Sequence, residues 1–183
     1  AFITSMGKTM GLEVQAYRPS VVFINGEYWG IYNFREKLTR HYIAENFGLH
    51  KDSIHLIEHR KSVQAGSRQS YDKMQQYMLT NDLSIQEHFD YINTQMDIDN
   101  FMEYEILQIY IYKQDAGGNI KFWRSMKEGG RWRWILFDTD FGMGHYGWKG
   151  YKNNSLAFHT APNGPGWPNP PWSTFNLRQL LKN

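Results

Sequence analysis

The chain has 183 residues, 41% hydrophobic and 21% charged, with a formal net charge of +2 and no cysteine. That length suits one domain, or two small lobes sharing an interface, able to bury roughly 70% of the unfolded surface. Disulfides and thiolate metal sites are excluded, and a small charge carried by scattered Lys and Arg argues against a nucleic-acid partner.

No apolar run approaches the roughly 18 residues of a membrane span, so no transmembrane segment is expected, and the first residues carry no signal-peptide pattern. The start at Ala1 and the stop in the helical-looking LLKN read as cuts through a longer protein. In chain order, the first clear element is a hairpin over residues 21–34, VVFINGEYWGIYNF, turning at Asn25-Gly26. That pair supplies positive φ at both turn positions. Thr39 then caps a short helix with Leu38, Tyr42, Ile43 and Phe47 near one face, and Gly48 stops it. A short strand is predicted at residues 54–57, a polar and basic loop at 60–69, and a helix at 70–79 from the spacing of Tyr71, Met74 and Met78.

Ser84 with Glu87 reads as a capping box for the next helix. Asp97 caps a longer one, about residues 98–112, in which Phe101, Met102, Glu105, Gln108, Ile109 and Tyr112 recur at three and four. IKFWRSMK against RWRWILFD predicts a second hairpin, turning at residues 128–130. Residues 145–173, rich in Gly, Pro, Asn and Trp, read as a long irregular segment, and residues 174–181 as a closing helix.

The stretch RWRWILFDTDFGMG, residues 131–144, ends an apolar strand in Asp138 and Asp140. Carboxylates on a rigid strand end suit a hard divalent cation, magnesium or manganese, although a solvated Asp-rich turn would show the same pattern. Asp115 lies 23 positions before Asp138, with one predicted hairpin between them, so both acids can face one cleft. One would accept a proton from an attacking hydroxyl while the other holds the metal of a nucleotide, with Asn119 completing the metal shell. The plainer alternative is that Asp115 ends its helix and Asn119 occupies a turn.

Two rival patterns compete. His55, Glu58 and His59 match the inverted zinc-peptidase spacing His-x-x-Glu-His, which needs a helix. The alternation around Ile54 and Leu56 predicts a strand instead, on which the two histidines stand about 13 Å apart, too far for one zinc. A carbohydrate-binding or adhesion module would use Trp148, Trp167, Trp172 and Tyr151 as stacking platforms, as would a catalytically inactive kinase-like protein; self-packing of the irregular segment is the alternative.

NGEYWGIYNFREK, YKQDAGGNIKFWR and RWRWILFDTDFGMG, in this order and spacing, resemble the spore-coat-protein-H (CotH) kinase family of atypical protein kinases, over about residues 10–181. The resemblance implies an α+β, protein-kinase-like two-lobed fold, here truncated at its N-terminal β lobe. Residues 1–48 would be the remnant of that lobe and residues 49–183 a mainly helical lobe. It implies transfer of phosphate from ATP, with Mg2+ or Mn2+, to Ser or Thr of a protein substrate, and a secreted or cell-envelope or coat-associated location. By motif matching, Asp115 is the catalytic residue, and Asp138 binds metal with Asn119 and Asp140. Glu36 or Lys37 orients the nucleotide phosphates, and the Gly117-Gly118 turn lets phosphate approach the backbone.

Overall fold

The computed structural model describes residues 2–145 and 150–183. The fold is mixed α+β, built on a five-stranded sheet of order β1-β7-β6-β4-β5. Its strands are β1 (Glu13–Val14), β4 (Ile54–Glu58), β5 (Ser62–Ala65), β6 (Lys121–Ser125) and β7 (Arg133–Leu136). β1 runs parallel to β7 and the other pairings are antiparallel, so the sheet is mixed. A separate two-stranded sheet is formed by β2 (Tyr17–Ile24) and β3 (Glu27–Arg35).

Both faces of the main sheet are covered, which is why consecutive apolar residues, Phe122 and Trp123 in β6 and Trp134, Ile135 and Leu136 in β7, are all buried. Alternate side chains point to opposite faces. Phe122, Trp134 and Leu136 join the larger core with Ile57, Phe101 and Leu107, whereas Trp123 and Ile135 join Leu56 and Ile43 on the other side. The larger core is roofed by α1 (Phe2–Thr9), α3 (Gln69–Thr80), α4 (Gln86–Gln95), α5 (Ile98–Tyr110) and α7 (Phe175–Leu180). On the opposite face lies α2 (Arg40–Phe47), capped by Thr39 and ended by Gly48 in the left-handed region.

The hairpin turns at Asn25 and Gly26, both at positive φ, as the Asn-Gly pair requires. It differs from the rest of the molecule in exposure: Phe23, Tyr28, Trp29, Ile31, Tyr32 and Phe34 are each more than half exposed. Because β1 pairs with β7 and α2 packs on β4, the part standing apart from the main sheet is the β2–β3 hairpin, narrower than residues 1–48.

Three local expectations need correction. Residues 60–69 contain β5, whose SVQA sequence on a sheet edge is too short and too exposed for its brief alternation to stand out from the polar residues around it. The Ser84–Glu87 capping box does not form: α4 starts at Gln86 behind an Ile85 N-cap without a side-chain bond, and the Ser84 N–H donates to Asp82 Oδ1 at 3.1 Å. The segment 145–173 is not wholly irregular, since its described part includes α6 (Ser155–His159), capped by Asn154.

A buried polar network ties α5 to the sheet. Asp97 caps α5 through the Asn100 N–H and also meets Arg133, while Arg133 Nε donates to Glu13 at 2.5 Å. The Trp134 N–H donates to Asn100 Oδ1 at 2.7 Å. These bonds fix the helix whose end delivers the candidate site.

Candidate active site

Three segments converge at one end of the main sheet: the turn after α5, the entry to β6 and the exit from β7. The His59 N–H donates to Ile120 O at 2.7 Å, and the His59 ring bonds Gly118 O, closing the same corner from the end of β4. Past β7, Asp138 takes a left-handed φ of 50°, which turns the chain out of the sheet. Asp tolerates that region better than the apolar residues before it.

Asp115 is 2% exposed. The Asn119 side-chain amide donates to its Oδ2, the backbone N–H groups of Gly118 and Asn119 donate to its carbonyl, and its Oδ1 has no hydrogen-bond partner among the described residues. Burial raises its pKa above the ordinary carboxylate value, opposed by Lys113 and the Asn119 bond. Asp138 and Asp140 instead sit in the open, on a cleft of about 620 Å³ that they share with Tyr17, Asn33 and Arg35 of the hairpin. Partial desolvation and then the hydrogen-bonded Asp140 carboxyl raise the Asp138 pKa, since two carboxylates so close resist losing both protons.

Between these acids lies Lys113, fully buried, whose ammonium donates to Asn119 O at 3.2 Å and Phe137 O at 3.1 Å. Burial pulls its pKa down to about 8, against the attraction of Asp115, Asp138, Asp140 and Glu105, so it stays charged at neutral pH. Beneath it, burial pushes the Glu105 carboxyl up to about 8 and the His159 ring down to about 4. Their 4.0 Å contact therefore joins two uncharged groups at neutral pH.

Residues 1–183, the whole chain, match the family model described as CotH kinase protein. The chain belongs to the CotH kinase family. No curated protein and no solved structure matches it.

In this CotH family member Asp115, Asn119, Asp138 and Asp140 come together around Lys113. Glu36 and Lys37 do not join them. Strand alternation sends Arg35 into the Asp138 cleft, while the Glu36 carboxylate accepts the Ala16 N–H at 2.9 Å and borders a different cleft with Tyr42 and Arg133. Lys37 lines a third cleft beside Glu58 and Lys121. Gly117 and Gly118 are required by packing: an added Cβ would stand 2.5 Å from Pro170 Cδ at the first and 2.5 Å from the Trp167 ring at the second. The Gly117 N–H is used by Pro168 O at 3.3 Å, so that amide is not presented to a phosphate.

The residues fit a divalent ion of the magnesium type. Two neighbouring carboxyl groups, one of which raises the pKa of the other, would be relieved by a dication, and the Asn119 amide oxygen would add a neutral hard donor. Among the described residues no three His, Asp or Glu side chains form a metal-holding group, so phosphate oxygens and water would complete such a shell.

Among the described residues neither rival site assembles. Residues 54–58 form β4 and not a helix; His55 Nδ1 accepts the Ser67 N–H at 2.8 Å, and Glu58 pairs with Lys121 at 3.2 Å. Of the four proposed stacking aromatics, Trp148 lies outside the described residues. Trp167 covers Gly118, Trp172 stacks under the Arg60 guanidinium 5.6 Å away, and Tyr151 is 80% exposed near Lys152. Trp167, Trp172 and Tyr151 thus serve three separate contacts.

Lys113, Glu105 and His159 were not singled out from the sequence. A signal existed for two of them: Glu105 recurs within the apolar stripe of α5, and Lys113 lies eight residues further on, at near-helical spacing on the same face. His159 carries no such pattern. No helix among the described residues is long and apolar enough to cross a membrane.

Proposed function

We propose that the chain transfers the γ-phosphoryl group of ATP, with Mg2+ or Mn2+, to a Ser or Thr hydroxyl of a protein substrate. The arrangement is kinase-like and two-sided, with β2–β3 as the small side and the helical body as the large one. One observation carries the reading: a buried acid with an unpartnered oxygen, Asp115, and an exposed acid pair, Asp138 and Asp140, stand around a single buried lysine.

Asp138 and Asp140 would hold the divalent ion with the Asn119 amide oxygen. When bound, that ion supplies positive charge for the phosphate oxygens. Arg35, across the same cleft, gives the nucleotide phosphates a second cation. Asp115 accepts the acceptor hydroxyl's proton on Oδ1 while Asn119 fixes Oδ2. The hydroxyl oxygen bonds to the γ-phosphorus as the bond to the bridging oxygen breaks, and ADP leaves with that electron pair.

The test is incubation with γ-labelled ATP, manganese or magnesium and a mixture of Ser- and Thr-containing polypeptides. Label should appear on Ser or Thr, and Asp115→Asn and Asp138→Asn should each lower transfer at least about 100-fold. Undiminished transfer by Asp115→Asn contradicts its role.

A further inference from the structure

We infer that Lys113 is a positioning residue that sets the distance between the proton acceptor and the metal-side carboxylates, an assignment that rests on the phosphoryl-transfer reading above. Its single nitrogen donates to two carbonyls from different segments, Asn119 O in the loop that carries Asp115 and Phe137 O immediately before Asp138. The ammonium also lies 5.8 Å from the centroid of the Phe137 ring.

Other ties hold the outer part of this junction: the Gln114 N–H donates to Phe141 O at 3.2 Å and the Met143 N–H to Ile111 O at 2.6 Å. Closer to the acids, the Gly118 and Asn119 amides return to Asp115 O, the Gly117 N–H reaches Pro168 O and the His59 ring reaches Gly118 O. None of these bonds extends to the exit of β7, which ends at Leu136, so that Phe137 and Asp138 lie beyond the ladder. Lys113 spans that gap. A neutral side chain of equal length would fill the space but leave both carbonyls unpaired in the interior. Burying an ammonium is costly, and the carboxyl groups of Asp115, Asp138 and Asp140, which converge from the loop and the strand end, offset that cost, while Glu105 beneath it keeps its proton at neutral pH.

The geometry also separates two kinetic effects. On the phosphoryl-transfer reading metal and nucleotide are held by Asp138, Asp140 and Arg35, which line the open cleft, whereas the proton acceptor Asp115 is buried beside it and is not part of that lining. Loosening the tie misplaces the base relative to the phosphoryl group more than it weakens nucleotide binding, and a displacement of about 1 Å can cost about 100-fold in rate.

The experiment compares wild type, Asp115→Asn, Lys113→Met and Lys113→Arg for transfer kinetics, with amide hydrogen exchange measured without ligand. Lys113→Met should lower kcat about 100-fold with KM for ATP within about threefold. In the same variant the Gly118 and Asn119 amides should exchange faster while those of α5 stay protected. A kcat within twofold of wild type, or faster exchange spread evenly over the whole chain, overturns the assignment. If Lys113→Met does not fold, Lys113→Arg carries the test. Its planar fork cannot set one nitrogen on both carbonyls, so kcat should fall at least about tenfold, and wild-type kcat overturns the proposal. No transfer by wild type, or equal transfer by Asp115→Asn, instead removes the kinase reading and this assignment with it.

Discussion

Below Lys113, Glu105 and His159 are buried groups whose protonation differs between the folded and unfolded chain. The folded state keeps a proton on Glu105 up to about pH 8, whereas the unfolded carboxyl loses it near 4.5, so stability falls as pH rises through that window. His159 has the opposite sign: the unfolded ring gains a proton below 6.5 and the folded one resists until about 4, so stability falls as pH drops through that window. Between pH 6.5 and 8 Glu105 acts without opposition from His159, and the urea midpoint of wild type should decline there. Glu105→Gln, which mimics the protonated acid, should flatten that decline. His159→Asn should expose the Glu105 slope between 4.5 and 6.5 as well; a midpoint unchanged across pH in that variant would contradict the burial described for these two groups.

Among the elements, α5 is the one on which the site depends, because its C-terminal end presents Lys113 and Asp115. Asp97 secures its other end by capping the Asn100 N–H and by meeting Arg133, with Arg131 3.4 Å away. Asp97→Ala should cost about 1–2 kcal/mol of stability, read by urea unfolding, with kcat per folded molecule unchanged. Such elements were legible in the sequence where propensity and pattern agree: the Asn25-Gly26 turn, the Thr39 and Asp97 caps, and the β6–β7 hairpin with its two apolar faces. Edge strand β5 was not, because the alternation of Ser62, Val63, Gln64 and Ala65 is only four residues long and sits in a polar and basic stretch, and the strand pairs through backbone groups available to any sequence. Ser84 and Glu87 misled because Asp82 takes the Ser84 N–H first and delays the helix to Gln86.

For the whole molecule, the sequence placed Asp115 and Asp138 on converging segments through their spacing around one hairpin. It did not reveal which charged residues of the small hairpin face them. That Arg35 lines the Asp138 cleft while Glu36 and Lys37 border others depends on tertiary register, which one-dimensional pattern does not carry. Stability is just as unevenly distributed. Trp132 is fully buried between Tyr71 and Phe122, and Trp132→Ala should cost about 3–5 kcal/mol. Phe34 is 71% exposed on the hairpin, and Phe34→Ser should shift the urea midpoint little. If the two substitutions cost the same, the division between packed body and exposed hairpin is wrong. The account's central claim is that the strand-end acids form a nucleotide-metal site. It is tested most directly by a thermal-shift titration with ATP plus magnesium or manganese, on wild type beside Asp138→Asn. Wild type should be stabilised by ATP and metal together, by about 2.7 kcal/mol at a hundred times Kd, and the variant should show no such shift. An equal shift in both proteins, or none in wild type with either metal, would contradict it.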